Sequence, residues 1–315
     1  MRDFKVLITG AAGFVGRNLA EYLPSRGYKI HAFTHRMLDL SDESAVKETI
    51  SSVNPEVIIH CATVGGSRKT GYDAGSTDVV SKNLRMFFNL AWCLKPGMRM
   101  IHMGSGAEYD KRHCLPKMAE DYFGVHAPAD DYGYAKYVMS KYIEKADNIT
   151  CLRIFGLYGK YEDYTYKFIS NAIVKNLTGL PIVINQNVKF DYLWIEDFCA
   201  IVERFLKIKP KYSHYNITPA ESIDLVSLAK IINSAGKLKS EIKVLNSGMN
   251  DEYTGSNRRI LEELNDFNFT PYEQGVEKLY AYYASRLKEL DLDSIKKDPY
   301  LKLCKKSGGI SRGDK

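Results

Sequence analysis

The chain has 315 residues, 45% of them apolar and 26% charged, the balance of a globular protein large enough for one α/β unit or two fused lobes. No apolar run approaches the ~20 residues of a bilayer-spanning helix, and Met1-Arg2-Asp3 leads straight into a strand with no signal-peptide pattern. The formal charge of +6 is local: residues 296–315 carry seven Lys or Arg against two Asp, so a solvated basic tail accounts for it better than a nucleic-acid groove.

Strand and helix alternate through the first half. Phe4–Ile8 is an apolar strand. It runs into Thr9-Gly10-Ala11-Ala12-Gly13-Phe14-Val15-Gly16, which opens a helix over Phe14–Ser25. A strand, a glycine-rich turn and a helix together form a dinucleotide fingerprint. Gly10 permits the tight turn, Gly13 the approach of a pyrophosphate, and Gly16 close packing of helix on strand. The first helical N–H groups, with those of Phe14 and Val15 among them, then face the phosphates. Lys29–Phe33 is a second strand. A helix over Asp42–Ser52 follows, capped by Ser41 or Asp42. Val57–His60 is a buried strand, Thr77–Leu94 a long helix, Met98–Met103 a strand, Asp131–Ala146 a helix and Ile149–Phe155 a strand. β-branched apolar strands alternating with helices predict a parallel sheet covered on both faces.

The second half is less regular. Helices are predicted over Tyr166–Leu177, Glu196–Leu206 and Ile223–Ser234, and short strands over Ile182–Ile184, Val188–Leu193 and Tyr215–Ile217. The fold class is therefore α/β, a Rossmann-like doubly wound parallel sheet with a smaller C-terminal α/β substrate lobe. Residues 1–165 are assigned to the dinucleotide-binding domain, with 188–212 returning to it. Residues 166–187 and 213–295 are assigned to the substrate lobe, and 296–315 to a flexible basic tail. The cysteines (Cys61, Cys93, Cys114, Cys151, Cys199 and Cys304) are scattered without a CxxC pair, so no disulfide framework and no metal site are expected, and the default location is a reducing cytoplasm.

Tyr132 and Lys136 stand four apart in a predicted helix and so share a face. Ser105 lies just past the strand Met98–Met103, on the edge where open α/β sheets bind ligands. Tyr137 and Lys141 repeat the spacing, but five residues along a helix rotate the face by about 140°, so the two pairs cannot serve one site.

At this point the chain resembles the extended short-chain dehydrogenase/reductases of the nucleotide-sugar epimerase, dehydratase and reductase type. The matching pieces are TGAAGFVG at 9–16, LDLSD at 38–42, HCAT at 60–63, MGSGAEYD at 103–110, PKMAE at 116–120, DYGYAK at 131–136, LRIFGLYG at 152–159 and FDYLWIED at 190–197. They occur in the family's order over most of residues 4–290. The resemblance implies a catalytic triad of Ser105, Tyr132 and Lys136. A tyrosine moves a proton near neutral pH only if its pKa falls well below ~10, and a lysine ammonium favours the tyrosinate. Lys136 would also hold the nicotinamide ribose, and Ser105 would orient the reacting oxygen. Asp39 and Leu40 match the family's adenine-contacting pair, and Cys61-Ala62-Thr63 the loop beside ribose and pyrophosphate.

The second strand ends Phe33-Thr34-His35-Arg36, without the carboxylate that favours NAD. Arg36 can pair with a 2′-phosphate, so NADP is the expected cofactor and NAD the alternative. Dehydratases of the family carry an acidic pair after the serine or threonine. Here Gly106 and Ala107 can neither give nor take a proton. Ala107 also replaces the cysteine of the 3,5-epimerase/4-reductases, and neighbouring Cys114 and His113 are out of register. Two chemistries remain: NADPH-dependent reduction of a 4-keto sugar nucleotide, with Tyr132 as general acid, and NAD-dependent 4-epimerisation. A non-catalytic NADP-binding regulator is a further reading, disfavoured by the complete triad.

Where the family often has Arg and Asn, this chain has Phe190 and Gly156. Lys160, Lys189, Arg258 and Arg259 are the cations that could replace the lost charge, so Lys160, Lys189 and Arg258 join Ser105 and Gly106 as candidate substrate contacts. Trp194 is assigned to the core. The expected partner is a nucleotide-diphosphate sugar, with no membrane and no nucleic acid. By family analogy, a homodimer would form through the helices at 77–94 and 131–146.

Overall fold

In the strands of the first half, successive side chains point to opposite faces, and both faces are apolar. Our computed structural model describes residues 4–66 and 78–304. Its main sheet contains β1 (Lys5–Thr9), β2 (Lys29–Phe33), β3 (Val57–His60), β4 (Arg99–Ser105), β5 (Ile149–Ile154) and β10 (His214–Ile217). The order is β10-β5-β4-β3-β1-β2, and every pairing is parallel. Val6, Ile8, Ile59 and Met103 pack on one face, with Leu19 of α1 (Phe14–Tyr22) and Phe198 and Val202 of α6 (Ile195–Lys207). Leu7, Ile58 and Met100 pack on the other. They meet Val46 of α2 (Glu43–Val53), Phe87 of α3 (Val79–Ala91) and Met139 of α4 (Asp131–Ile143). This is the doubly wound arrangement. The order of strand addition switches sides between β1 and β3, so the ligand crevice lies off the C-terminal ends of those two strands. Asp42 caps α2, accepting the Ala45 N–H at 3.0 Å.

The remaining strands are β6 (Leu157–Tyr158), β7 (Ile182–Asn187), β8 (Lys189–Phe190), β9 (Leu193–Trp194), β11 (Ile223–Asp224) and β12 (Ile242–Met249). They pair two by two: β6 with β9, β7 with β12 and β8 with β11. Against them pack α5 (Phe168–Leu177) and α7 (Leu225–Ala235), with α9 (Tyr272–Ser285) laid on those two helices; the short α8 spans Arg258–Glu263.

Several expectations change here. Val188–Leu193 is not one strand, because β8 and β9 serve different partners. The helix expected from Ile223 starts at Leu225, where Asp224 Oδ1 accepts the Val226 and Ser227 N–H groups at 3.0 Å. β10, assigned to the substrate lobe, is the edge strand of the main sheet. The basic stretch 296–304 is docked: α10 (Leu292–Lys297) and α11 (Pro299–Lys302) bury Ile295 and Tyr300, and Lys175 Nζ meets Asp298 Oδ2 at 2.6 Å. Lysines on one side of these short helices conceal the apolar anchors on the other. Thr77 and Lys305–Lys315 lie outside the described residues. Among the described residues no helix is long and apolar enough to cross a membrane, and no cluster of metal-ligating side chains is found.

Candidate active site

The glycine turn is built by contact. Gly10 has φ +66°, and a Cβ there would stand 2.6 Å from the Ala62 nitrogen on the loop after β3. A Cβ on Gly16 would stand 2.4 Å from the Gly10 carbonyl oxygen. Both positions therefore require glycine for packing. Gly13 meets only the Gly10 carbonyl, at 3.3 Å, so internal packing demands glycine less strongly there. That bare backbone fits a site for a pyrophosphate. Gly13 is also the N-cap of α1, and the first N–H groups of a helix, here Phe14, Val15 and Gly16, have no partner within it. The turn fits a dinucleotide.

The loop Cys61-Ala62-Thr63 is held from two sides. Thr9 Oγ1 accepts the Ala62 N–H at 3.4 Å and lies 2.8 Å from His60 Nδ1. Buried Asn83 of α3 accepts from Thr63 Oγ1 and the Val64 N–H, at 3.1 and 3.0 Å, and donates to the carbonyls of Val64 and Val79. Asn83 was not anticipated, although an amide among the apolar residues of a helix was its signal. Burial pushes the Cys61 thiol up to about 12, so it carries no thiolate chemistry at neutral pH.

Beyond β2, Arg36 and His35 are exposed. Asp39 accepts from the Ser41 hydroxyl and N–H, which hold its carboxyl below the usual range. Leu40 is buried, and its carbonyl accepts from Asn89 Nδ2 at 2.9 Å.

Ser105 ends β4 and caps a single 3-10 turn, Gly106–Tyr109, its Oγ accepting the Ala107 N–H at 3.2 Å. The α4 N-terminus is fixed by Asp130, whose Oδ1 accepts the Gly133 N–H at 2.8 Å. Lys136 is buried one turn below Tyr132. Its Nζ donates to the Met103 carbonyl at 2.7 Å and lies 5.9 Å from the Tyr132 ring centre. Burial holds this ammonium below the ordinary lysine range, and the Glu108 carboxylate opposes that shift. Half-buried Tyr132 lies against Gly66: a Cβ there would come within 2.5 Å of the ring. Gly65 and Gly66 both have positive φ, 80° and 78°. This Gly-Gly pair, overlooked in the sequence, lets the backbone pass the tyrosine.

Ser105, Gly106, Tyr132 and Lys136 thus gather at the C-terminal ends of β3 and β4, beside the glycine turn. Gly106 faces the Tyr253 hydroxyl and the Phe155 ring. The candidate substrate cations are placed otherwise. Lys160 pairs with Glu21 of α1 at 2.7 Å, Arg258 with Asp121 and Glu262, and Lys189 is exposed. Arg259 also pairs with Asp121. Lys117 donates from Nζ to Ser222 Oγ at 2.6 Å and lies 3.5 Å from buried Asp191. Trp194 is buried against Tyr158. His113 and Cys114 are occupied with Asp110.

The chain is similar to the GDP-L-colitose synthase of Yersinia pseudotuberculosis, 26% identical over 89% of this chain and 97% of that protein. It also superposes on solved structures. One is the UDP-glucose 4-epimerase of Thermotoga maritima with UDP-glucose, at TM-score 0.77 and 19% identity, covering 90% of this chain and 99% of that one. Another is the GDP-mannoheptose C4 reductase of Campylobacter jejuni with NADP bound, at TM-score 0.76 and 18% identity, covering the same shares. The model of the NAD dependent epimerase/dehydratase family matches residues 6–218, from β1 through β10. The glycine turn, the parallel sheet and that match agree: the chain belongs to the NAD dependent epimerase/dehydratase family, enzymes that act on nucleotide sugars with a nicotinamide cofactor.

Proposed function

We propose that the protein is an NADP-dependent reductase of a 4-keto sugar nucleotide. When bound, the reduced cofactor supplies the hydride. Tyr132 gives the proton to the carbonyl oxygen, Ser105 orients that oxygen, and Lys136 holds positive charge beneath the tyrosine. The single observation carrying this reading is the meeting of half-buried Tyr132, buried Lys136 and the end of β4 at Ser105, with no proton-transfer group on Gly106 or Ala107.

NADP rather than NAD is supported by exposed Arg36 and the lack of a carboxylate at the end of β2. The adenosine end would lie over Asp39 and Leu40, and the ribose beside Cys61-Ala62-Thr63. Exposed Trp92, stacked on Phe88, and Tyr142 supply an aromatic stripe on α3 and α4 for a homodimer. A dimer lost in Trp92→Glu on size-exclusion chromatography tests that part.

The deciding assay is NADPH absorbance with dTDP- and GDP-4-keto-6-deoxyhexoses. Stoichiometric loss is expected. A protein that purifies with NAD and interconverts sugars without net oxidation is a 4-epimerase, and the reductase reading then fails.

A further inference from the structure

The geometry points to Glu108 as a positioning residue: its buried carboxylate is the shared acceptor that fixes Ser105 against the helix face carrying Tyr132 and Lys136. The inference rests on reading those three as the reaction centre, and not on the identity of the sugar.

Glu108 closes the 3-10 turn after Ser105 and is fully buried. Its Oε1 accepts the Ser105 N–H at 2.8 Å. Its Oε2 accepts the Ser140 hydroxyl and Arg153 Nε, each at 2.6 Å. Ser140 lies one helical turn past Lys136 and two past Tyr132, so the three share one face of α4. Glu108 thus joins Ser105 to that face through a single side chain, alongside the bond from Lys136 Nζ to the Met103 carbonyl. Ser105 Oγ is aimed by the same capping box, since it accepts from Ala107 in the turn that Glu108 closes.

Stability alone does not explain a charge here, because a buried ion pair can often be exchanged for apolar residues at little cost. Arg153 does anchor the carboxylate: its Nη1 donates to Tyr109 Oη at 3.1 Å, and its guanidinium lies 4.1 Å from the Phe123 ring centre. The carboxylate has a second neighbour in Lys136. The titratable groups around that ammonium are Glu108, which favours its charge, the thiols of Cys61 and Cys151, which burial keeps protonated, and His60 and His102, which stand neutral, with Tyr132 above. Glu108 is the carboxylate among them, so it both sets the spacing of the centre and keeps Lys136 charged.

The test compares wild type with E108Q, S140A and E108M/R153M, each checked for folding by circular dichroism. S140A leaves the ion pair intact, and the double variant removes both buried charges. With a 4-keto sugar nucleotide and NADPH, S140A is expected to lower kcat about threefold or more, and the double variant and E108Q about tenfold or more, with KM nearly unchanged. In E108Q the alkaline limb of kcat moves to lower pH, because removing a negative charge makes Lys136 and Tyr132 easier to deprotonate. The pH dependence of NADP binding, which needs no sugar, shifts the same way. Folded S140A and E108M/R153M with wild-type kcat and an unmoved alkaline limb overturn the inference. If no keto sugar is reduced but NADP binding shifts in E108Q, the reductase reading falls and the role of Glu108 stands. A wild-type chain that binds no nicotinamide cofactor removes both.

Discussion

The hydroxyl of Tyr253 fills the space that a side chain on residue 106 would need: a Cβ on Gly106 would stand 2.5 Å from it and 2.9 Å from the Phe155 ring. Tyr253 cannot easily yield. Its N–H donates to the Lys189 carbonyl at 3.1 Å, and its ring packs on Phe155 and Phe190. Gly106→Ala should therefore destabilise the fold by roughly 1–3 kcal/mol, the usual cost of overpacking. In a double-mutant cycle with Tyr253→Ala that cost should fall, because the nearer clashing atom is gone and only the Phe155 ring still presses on the new Cβ. Additive losses in urea unfolding would show that the contact is not the cause.

Arg36→Ala should weaken NADPH binding tenfold or more, by roughly 1.5–3 kcal/mol for a charged hydrogen bond, and leave NADH almost unchanged. Titration of both cofactors by fluorescence checks this. Equal weakening of the two would remove Arg36 as the 2′-phosphate contact.

Tyr132→Phe should cut kcat by about 10²- to 10⁴-fold, the range for a lost general acid, with NADP affinity kept. Tyr137→Phe should be nearly silent, since Tyr137 packs on Phe123 and its partner Lys141 pairs with Glu144. Comparable losses in the two variants, from steady-state kinetics, would dismiss the assignment.

Burial raises the Glu162 carboxyl from its ordinary 4.5 to about 7, against the opposing pull of the Lys167 ammonium and of the Ser170 hydroxyl, which donates to it at 2.6 Å. A raised carboxyl pKa means that the folded state holds its proton more tightly than the unfolded chain. Stability from this group is full below pH 4.5 and lost as pH climbs toward 7, by an amount of order 3 kcal/mol. Glu162→Gln should thus raise the melting temperature at pH 8 and do little at pH 4.5. A gain that is the same at both pH values would contradict the assignment.

The legible parts of the fold were those where one force dominates. Val57–His60 and Phe4–Ile8 show as strands because apolar runs signal burial on both faces, and the second is observed as Lys5–Thr9. The helix of Tyr132 and Lys136 and the cap at Asp42 follow from spacing and side-chain oxygen chemistry. β12 stayed hidden, since it is exposed along most of its length and exists only through its pairing with β7. In α9, Val276, Leu279 and Tyr283 do mark a buried stripe, but Gly275 and the surrounding tyrosines blur it. At the site, Gly10, Gly13 and Gly16 could be named from spacing, and Ser105, Tyr132 and Lys136 from the family resemblance. Glu108 and Arg153 could not, because charged residues ordinarily lie on the surface and their burial depends on meeting each other across the sheet.

The edge position of β10, with α6 covering one face, means that residues 4–165 do not form a detachable module. A chain ending at residue 165 leaves β5 as a raw edge and strips α6 from Val6 and Ile8. During synthesis the six-stranded sheet is incomplete until residue 217 has cleared the ribosome. Limited proteolysis should accordingly yield no persistent fragment ending near residue 165.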